Sequence, residues 1–436
     1  MSALARLLHG MGHRVSGCDI KSSDATDRLE RDGIPVHSVN DDSHVHGADI
    51  VTHSSAISTD HHELRAAVAR GAQLFSRAQA LALACSARPT IGVAGTHGKT
   101  TTTAMLSSIL IGCGKDPSYL IGGETSLPGS NAYWGLGDVL VVEADESDST
   151  HLQLPLRAAV VTNVDLDHLD NFGSFDEILR SFERFVVSVD GPVVVGFDNP
   201  HSRALGEVRT VTTVGLEGGD FRGTEVELLP GRASFTLVHG AHRYRVEIAQ
   251  RGVHNVRNAL AAIATAHLWG VDLVDACEAI RGFRGVARRF DVRGTKRGTT
   301  FVDDYAHLPA EIASTLAAAR AEIGDGRVVA VFQPNRFNRM DKMSDDYRDS
   351  FVDADVTLIT EIYGSGTKPI EGVTGARVVD AVRKAHPRSD VRWCPSREDL
   401  IDEVIRVVGQ GDTCISMGCG DIENLPNEVM TRIEST

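Results

Sequence analysis

The segment Thr90 to Gly112 constrains this chain more than any other. Thr90-Ile91-Gly92-Val93-Ala94 is a short apolar run, Gly95-Thr96-His97-Gly98-Lys99-Thr100-Thr101-Thr102 follows it directly, and Ala104-Met105-Leu106-Ser107-Ser108-Ile109-Leu110 continues as a helix former. A strand running into a glycine turn and then a helix is an α/β unit with a ligand built in. The glycines let successive backbone N–H groups curl around an anion, and the helix presents its positive end. Lys99 neutralises phosphate charge and Thr100 offers a hydroxyl to Mg²⁺. The expected ligand is ATP, held by Gly95, Thr96, His97, Gly98, Lys99, Thr100 and Thr101. The general phosphate-loop pattern has a glycine five residues before Gly98, where Val93 stands, so this is a shorter variant. A random Gly-Lys-Thr on a surface turn is the bland alternative, which the flanking strand and helix disfavour.

The chain has 436 residues, too many for one ordinary core, and about 150 residues per domain suggests roughly three. No run of 18 or more apolar residues is present to span a bilayer, and no signal peptide is visible. Lys and Arg total 44 against 59 Asp and Glu, and the resulting charge of −15 argues against a nucleic-acid partner. Seven cysteines, Cys18, Cys85, Cys113, Cys277, Cys394, Cys414 and Cys419, are scattered without zinc-ligand spacing, which suits a reducing cytoplasm. Cys414 and Cys419 as a redox pair are weaker than the same two residues as small core members.

The pattern predicts a helix over 2–12 and strands over 14–20 and 49–57, the βα alternation of a dinucleotide-type domain. The opening strand and glycine-rich turn of such a domain are missing in front, as in a fragment or a late-assigned start. A second unit begins near Ala87, with strands over 138–144 and 158–164 and a β-rich stretch from about 192 to 247. From Thr299 the alternation resumes, with strands over 301–305, 327–333, 355–360, 391–395 and 412–417 and helices over 309–323 and 373–385. The expected fold is therefore α/β in three domains: a truncated Rossmann-like domain over 1–86, a phosphate-loop ATPase domain over 87–293 and a Rossmann-like domain over 294–436.

Several motifs fall at predicted carboxyl strand ends, where open α/β sheets bind ligands. Glu143-Ala144-Asp145-Glu146-Ser147-Asp148 is a carboxylate cluster suited to Mg²⁺, with a solvated acidic turn as the alternative. Asp165-Leu166-Asp167-His168-Leu169-Asp170 ends the next strand, and His168 is a candidate ligand through a neutral imidazole nitrogen, or else a capping or core histidine. His254 and Asn258 are four apart on one helical face that could meet a purine. Arg288 and Arg289 precede the last domain and could clamp phosphate, or form a solvated hinge. Asp303-Asp304-Tyr305-Ala306-His307 and Phe332-Gln333-Pro334-Asn335-Arg336-Phe337-Asn338-Arg339 end two later strands. Arg336 and Arg339, three apart, are spaced to share a helical turn and grip a carboxylate, the group an amino acid offers.

Taken together, the loop at 95–102, the Glu143 cluster, Asp167 to Asp170, His254 to Asn258, Arg288-Arg289-Phe290 and Asp303 to His307 resemble the Mur ligases of peptidoglycan synthesis, over nearly the whole chain and in order. Within that family the likeness is strongest to the enzymes that join L-alanine to UDP-N-acetylmuramate. The resemblance implies a UDP-sugar in the N-terminal domain, ATP in the central one and alanine in the last, assembled by domain closure. It implies that Lys99 contacts the transferring phosphate, that Thr100 and Glu143 hold one Mg²⁺ and His168 a second, and that Lys99 and His168 are catalytic. It places His254 and Asn258 at adenine, Arg288 at the phosphates, Asp304 at the ribose, and Tyr305, His307, Arg336 and Arg339 around alanine. ATP would phosphorylate the muramate carboxylate and the alanine amine would attack the acyl phosphate.

Relative to the family pattern, Leu308 and Ala310 replace a His and a Thr, Asn335 replaces a His, and Cys419 sits in a usual Gly-Ala-Gly. The absent N-terminal segment should contact the UDP pyrophosphate, so weak sugar-nucleotide binding is expected. The implied protein is a cytoplasmic enzyme without membrane insertion, compatible with a monomer or a homodimer. A ligase for another amino acid or peptide, a nucleotide-binding paralogue that does not ligate, and a plain phosphate-loop kinase are the competing readings.

Overall fold

A computed structural model describes residues 1–38, 41–54, 57–58, 60–166, 172–323 and 326–435. The chain folds as two compact units. The first comprises Met1–Glu225, Phe235–Ile248 and Asn255–Gly285, and the second Val226–Ser234, Ala249–His254 and Val286–Thr436.

The first unit starts with four short strands, β1 (Gly17–Cys18), β2 (Val36–His37), β3 (Ile50–His53) and β4 (Gln73–Ser76). They pair as β1 with β2 and β3 with β4, both parallel, so the expected dinucleotide-type sheet is resolved as two separate ribbons. The strand expected over 14–20 shrinks to two residues, and that expected over 49–57 is a strand over Ile50–His53, with residues 55–56 outside the described residues. Helix Arg77–Ser86 starts at a capping box, Ser76 accepting from Gln79 N–H while Gln79 returns a bond to the Ser76 backbone. Leu4 and Leu7 from helix Ser2–Gly10 share one apolar core with Leu81 and Ala84, and with Leu140, Val142 and Phe182 farther along the chain.

The main sheet of this unit contains β5 (Thr90–Ala94), β6 (Ser118–Leu120), β7 (Ala132–Tyr133), β8 (Leu140–Glu143), β9 (Ala158–Val161), β10 (Val193–Gly196), β11 (Thr212–Gly215), β12 (Phe221–Leu229), β13 (Arg232–His239) and β14 (His242–Ile248). Their order is β14-β13-β12-β11-β10-β9-β5-β8-β6-β7. Every residue of β5 and β9 is buried, as expected of unbroken apolar runs in a parallel sheet covered on both faces. From β5 the chain runs through β6 and β7 back to β8 on one side of β5 and then crosses to β9 on the other. That reversal opens the sheet's carboxyl edge beside β5, where the glycine turn emerges.

In the second unit, β15 (Asp291–Lys296), β16 (Thr299–Asp304), β17 (Val328–Phe332), β18 (Val356–Thr360), β19 (Asp390–Cys394) and β20 (Thr413–Met417) are ordered β15-β16-β20-β17-β18-β19. β15 is antiparallel to β16 and the remainder is parallel. The last strand in sequence, β20, lies between β16 and β17, with Met417 in register with both Asp304 and Phe332. Three loops distant in sequence therefore leave the carboxyl edge side by side. Cores on the two faces gather Val302, Ile312, Phe332 and Ile415 on one side and Phe301, Val329, Leu358 and Leu400 on the other. Helix Pro309–Ile323 matches its expected span, and the helix expected from Val373 begins at Ala376.

Candidate active site

The turn after β5 is shaped by two glycines with positive φ. Gly95 has φ +127° and Gly98 has φ +82°, conformations in which a side chain is strained. Space forbids a side chain as well: a Cβ at Gly95 would collide with Thr162 Oγ1, and one at Gly98 with Asn258 Oδ1. The turn is tied to the end of β9. Thr96 N–H donates to Asn163 O at 3.1 Å, His97 N–H to Asn163 Oδ1 at 2.8 Å, and Thr162 Oγ1 and Asn163 Nδ2 both donate to His97 O. This explains why β9 stops at Val161 rather than Val164: Thr162 and Asn163 spend their polar groups on the turn. Among the described residues, no side chain caps the first turn of the 14-residue helix Lys99–Gly112. Its leading N–H groups and dipole are offered to an anion.

Lys99 turns back over this loop. Its Nζ donates to Gly95 O at 2.6 Å, Thr96 O at 3.2 Å and Glu146 Oε1 at 2.8 Å. Burial alone would lower the pKa of the ammonium, but the facing carboxylates of Glu146, Asp145 and Glu143 outweigh it and hold the pKa above its ordinary value. Burial pushes Glu146 up to about 7 in spite of Lys99. Thr100 Oγ1 donates to Glu143 Oε2 at 3.2 Å, and Gly122 N–H donates to the other oxygen of the same carboxylate. Burial raises the Glu143 pKa as well, against the Gly122 N–H and Lys99. A hydroxyl and a buried carboxylate side by side at a phosphate loop are the hard-oxygen donor pair that Mg²⁺ takes, so these residues fit the ion. Thr101 is buried in the first turn of the helix. His97 Nε2 lies 3.7 Å from Asp165 Oδ2. His168, with Asp167 and Asp170, lies outside the described residues.

Helix Val253–Leu268 carries both His254 and Asn258. Asn258 is buried, with Oδ1 packed against Gly98 and Nδ2 donating to Asn255 Oδ1 at 3.1 Å. The structure thus sets this side chain against the phosphate turn itself. His254, in the helix's first turn, is partly buried with its ring beside Gly252.

The carboxyl edge of the second unit gathers the remaining candidates. Arg288, at φ +60°, donates from Nε to Asp303 Oδ2 at 3.0 Å and from Nη2 to Gly418 O at 2.8 Å, and pairs through Nη1 with Glu423 at 2.9 Å. Arg288 and Arg289 both lie 5.1 Å from the centre of the Tyr305 ring, a cation on an aromatic face. The Asp304 oxygens accept Phe290 N–H and Ala306 N–H, each at 2.7 Å. Burial pushes the Asp304 carboxyl up to about 6. Asp304 therefore fastens the strand-to-loop turn, with both oxygens on backbone amides. His307 Nδ1 sits 3.1 Å from Tyr305 O and 3.3 Å from Glu311, and its carbonyl accepts from Tyr347 OH at 2.8 Å.

Arg336 and Arg339 do not share a helical turn. Arg336 precedes helix Phe337–Met343 with φ +61°, and its buried Nε makes no hydrogen bond among the described residues. Arg339 is inside the helix, buried, and donates from Nη1 to Asn335 Oδ1 at 2.8 Å. Both guanidiniums, with Arg288, pull down the Cys419 thiol pKa, which burial nevertheless raises. Four arginines thus gather at this edge, and planar guanidiniums are the groups best suited to a carboxylate or phosphate.

Sequence reasoning missed four residues here. Glu146 was visible only as one of several acids after β8, and its ion pair with Lys99 depends on the turn that follows. Thr162 and Asn163 were read as strand. Asn335 gave no signal of its role, which is to orient Arg339.

The family description "Mur ligase family, catalytic domain" matches residues 1–88, "Mur ligase middle domain" residues 93–266, and "Mur ligase, glutamate ligase domain" residues 288–420. Among curated proteins, the chain is 41% identical over 440 residues to UDP-N-acetylmuramate--L-alanine ligase of Rubrobacter xylanophilus, covering 99% of this chain and 97% of that protein. It is 39% identical over 441 residues to the enzyme of that name from a Geobacter species, covering 100% and 95%. Among solved structures it is similar to UDP-N-acetylmuramate-alanine ligase MurC from Thermotoga maritima, with TM-score 0.83 and 28% identity over 100% of this chain and 96% of that one. It is also similar to a murein peptide ligase from Psychrobacter arcticus, with TM-score 0.73 and 25% identity over 100% and 97%.

Proposed function

The chain belongs to the Mur ligase family, and from that premise we propose that it is an ATP-dependent ligase joining L-alanine to the lactyl carboxylate of UDP-N-acetylmuramate in peptidoglycan precursor synthesis. The full-length identity of about 40% to relatives of that name, together with the likeness to the Thermotoga MurC structure, supports the substrate pair. The observation that carries the chemistry is Lys99, gathered over a glycine turn at a helix start that no side chain caps among the described residues, with Thr100 and Glu143 beside it. In this reading residues 1–86 serve the sugar nucleotide, 87–293 ATP and 294–436 alanine, in a cytoplasmic enzyme. Among the described residues, no helix is long and apolar enough to cross a membrane.

A carboxylate is a poor electrophile, so it is first phosphorylated, and the amine then displaces phosphate from the acyl phosphate. The β5 turn and the helix start receive the triphosphate oxygens on backbone N–H groups, and Lys99 offsets the charge that spreads over the transferring phosphoryl group. Mg²⁺ held by Thr100 and Glu143 would neutralise phosphate oxygens as charge develops. In the second unit, Arg336 and Arg339 receive the alanine carboxylate, and Tyr305 and His307 border it. His254, Asn258, Arg288, Asp304 and His168 have proposed roles in the nucleotide and metal contacts. The test is phosphate release with UDP-N-acetylmuramate, ATP and each of twenty amino acids in turn. Release that depends on alanine, with amide formed in equal amount, supports the reading. Saturating substrates without turnover would refute it.

A further inference from the structure

The N-terminal ribbons hold a side-chain cluster that the ligase chemistry does not use. Cys18 ends β1, His44 lies in the 3₁₀ turn Asp42–Val45, and Glu63 is in the first turn of helix His62–Ala69. Glu63 is only 6% exposed. Its Oε2 accepts from Cys18 Sγ at 3.2 Å, and its Oε1 lies 3.3 Å from His44 Nδ1 and accepts Asp41 N–H at 3.1 Å. The sulfur, nitrogen and oxygen of the three side chains all lie within 4.8 Å of one another. His61 Nδ1 is buried, makes no hydrogen bond among the described residues, and sits 3.8 Å from Glu63 Oε2.

Two physical points bear on what this cluster is for. Among the described residues, no lysine or arginine pairs with Glu63, so a buried carboxylate is surrounded by a thiol and imidazoles rather than by a fixed cation. The spacing is also close to that of a coordination shell. With bonds of about 2.0–2.3 Å, tetrahedral ligand atoms stand roughly 3.3–3.8 Å apart. The thiol lies 3.2 Å from Glu63 Oε2 and the imidazole 3.3 Å from Glu63 Oε1, so each already stands at about that spacing from one carboxylate oxygen, and the set, within 4.8 Å throughout, closes around an ion by small side-chain rotations. His37 stacks on His44 with ring centres 4.2 Å apart and fixes the plane of that imidazole.

We propose that Cys18, His44 and Glu63 form a binding site for a zinc-like divalent transition metal, with His61 or solvent in the fourth position. Thiolate, imidazole and carboxylate are a donor set that selects such an ion over Mg²⁺, which keeps the site chemically separate from the Thr100–Glu143 pair. Binding releases the Cys18 thiol proton to solvent, and Cys18 is exposed, so an ion can enter from that side.

The experiment titrates the full chain with Zn²⁺ and, separately, with Co²⁺, in excess Mg²⁺. The expected result is one tightly held Zn²⁺ per chain and a thiolate-to-cobalt charge-transfer band. Cys18→Ser should abolish that band and weaken Zn²⁺ binding by at least the roughly 10–100-fold that loss of an outer-shell partner costs. His44→Gln provides the second variant, with far-ultraviolet circular dichroism reading whether each remains folded. A cobalt spectrum without a thiolate band, or Zn²⁺ affinity unchanged in both folded variants, overturns the proposal. Ligase activity is not the readout, so failure here leaves the catalytic assignment untouched.

Discussion

At the carboxyl edge of β5, β8 and β9 one lysine faces the carboxylates of Glu143, Asp145 and Glu146, whereas at the carboxyl edge of β16, β17 and β20 Arg288, Arg289, Arg336 and Arg339 stand near Asp303, Asp304 and Glu423. The first edge has an excess of acid and suits a ligand that arrives with its own cation; the second sets guanidiniums among its acids and suits a bare carboxylate or phosphate. Their backbones differ too. The first achieves its turn with glycines at positive φ, the second with Arg288, Phe290 and Arg336 at φ +60°, +50° and +61°. A left-handed residue with a side chain costs of order 1 kcal/mol or more, and it persists only where neighbours over-determine it. Here Asp304, Asp303 and the β20 loop do so through the bonds to Phe290 N–H and the Arg288 guanidinium.

The comparison breaks most sharply at Lys99. Lys99→Met removes the ammonium that faces the first edge's carboxylates, and kcat for ADP formation should fall ~1000-fold, the upper range for losing one preorganised transition-state donor. Alanine KM should be unchanged. A loss below about tenfold would mean that the first edge does not seat the triphosphate.

The second edge should show its strain in a pH-dependent stability. The folded pKa of Asp304 is raised to about 6 by burial. An unfolded aspartate titrates near ~3.9, so its contribution is fully present below about pH 4 and is lost as pH rises through about 6. Two pH units correspond to ~3 kcal/mol. Between those limits the wild type should lose about that much stability relative to Asp304→Asn, measured by denaturant midpoints. Parallel curves for the two proteins would show that Asp304 ionises as freely as in the unfolded chain.

Arg339→Lys sharpens the contrast from the ligand's side. It keeps the charge but loses the planar fork that Asn335 orients, and alanine KM should rise roughly 50-fold, about the value of a charge-assisted hydrogen bond, with ATP KM unchanged. An equal rise in both constants would remove the division of labour between the edges.

How much of this was legible in the sequence follows the same division. The phosphate turn could be read directly because strand, glycines, Lys99 and helix are contiguous, and the local chemistry specifies the conformation. Asp303 to His307 could be placed at a strand end for the same reason. What could not be read was anything assembled across distance. Residue spacing put Arg336 and Arg339 on one helical turn, but the helix start is set by Thr367 Oγ1 accepting Phe337 N–H from 30 residues away, which leaves Arg336 outside it. The strand around 14–20 shrank because few of its residues are buried, so apolar content overstated its length. Cys18, His44 and Glu63 come from three elements, and no spacing rule for metal ligands covers them.

The finest test concerns the ion pair inside the first edge. Above about pH 7 Glu146 is ionised and holds Lys99 Nζ at 2.8 Å, so an incoming triphosphate must displace a carboxylate; below that pH it displaces a neutral acid. The difference is that between a charge-assisted and a neutral hydrogen bond, ~1 kcal/mol or about fivefold in affinity. Wild-type ATP KM should therefore rise about fivefold from about pH 6 to about pH 8, while Glu146→Gln, neutral throughout, should show only the slope of ATP and Mg²⁺ themselves. Isothermal titration with a non-hydrolysable ATP analogue at both pH values separates binding from turnover. If the two proteins share one slope, Lys99 keeps Glu146 when the triphosphate binds, and the acidic excess of the first edge acts on the metal alone.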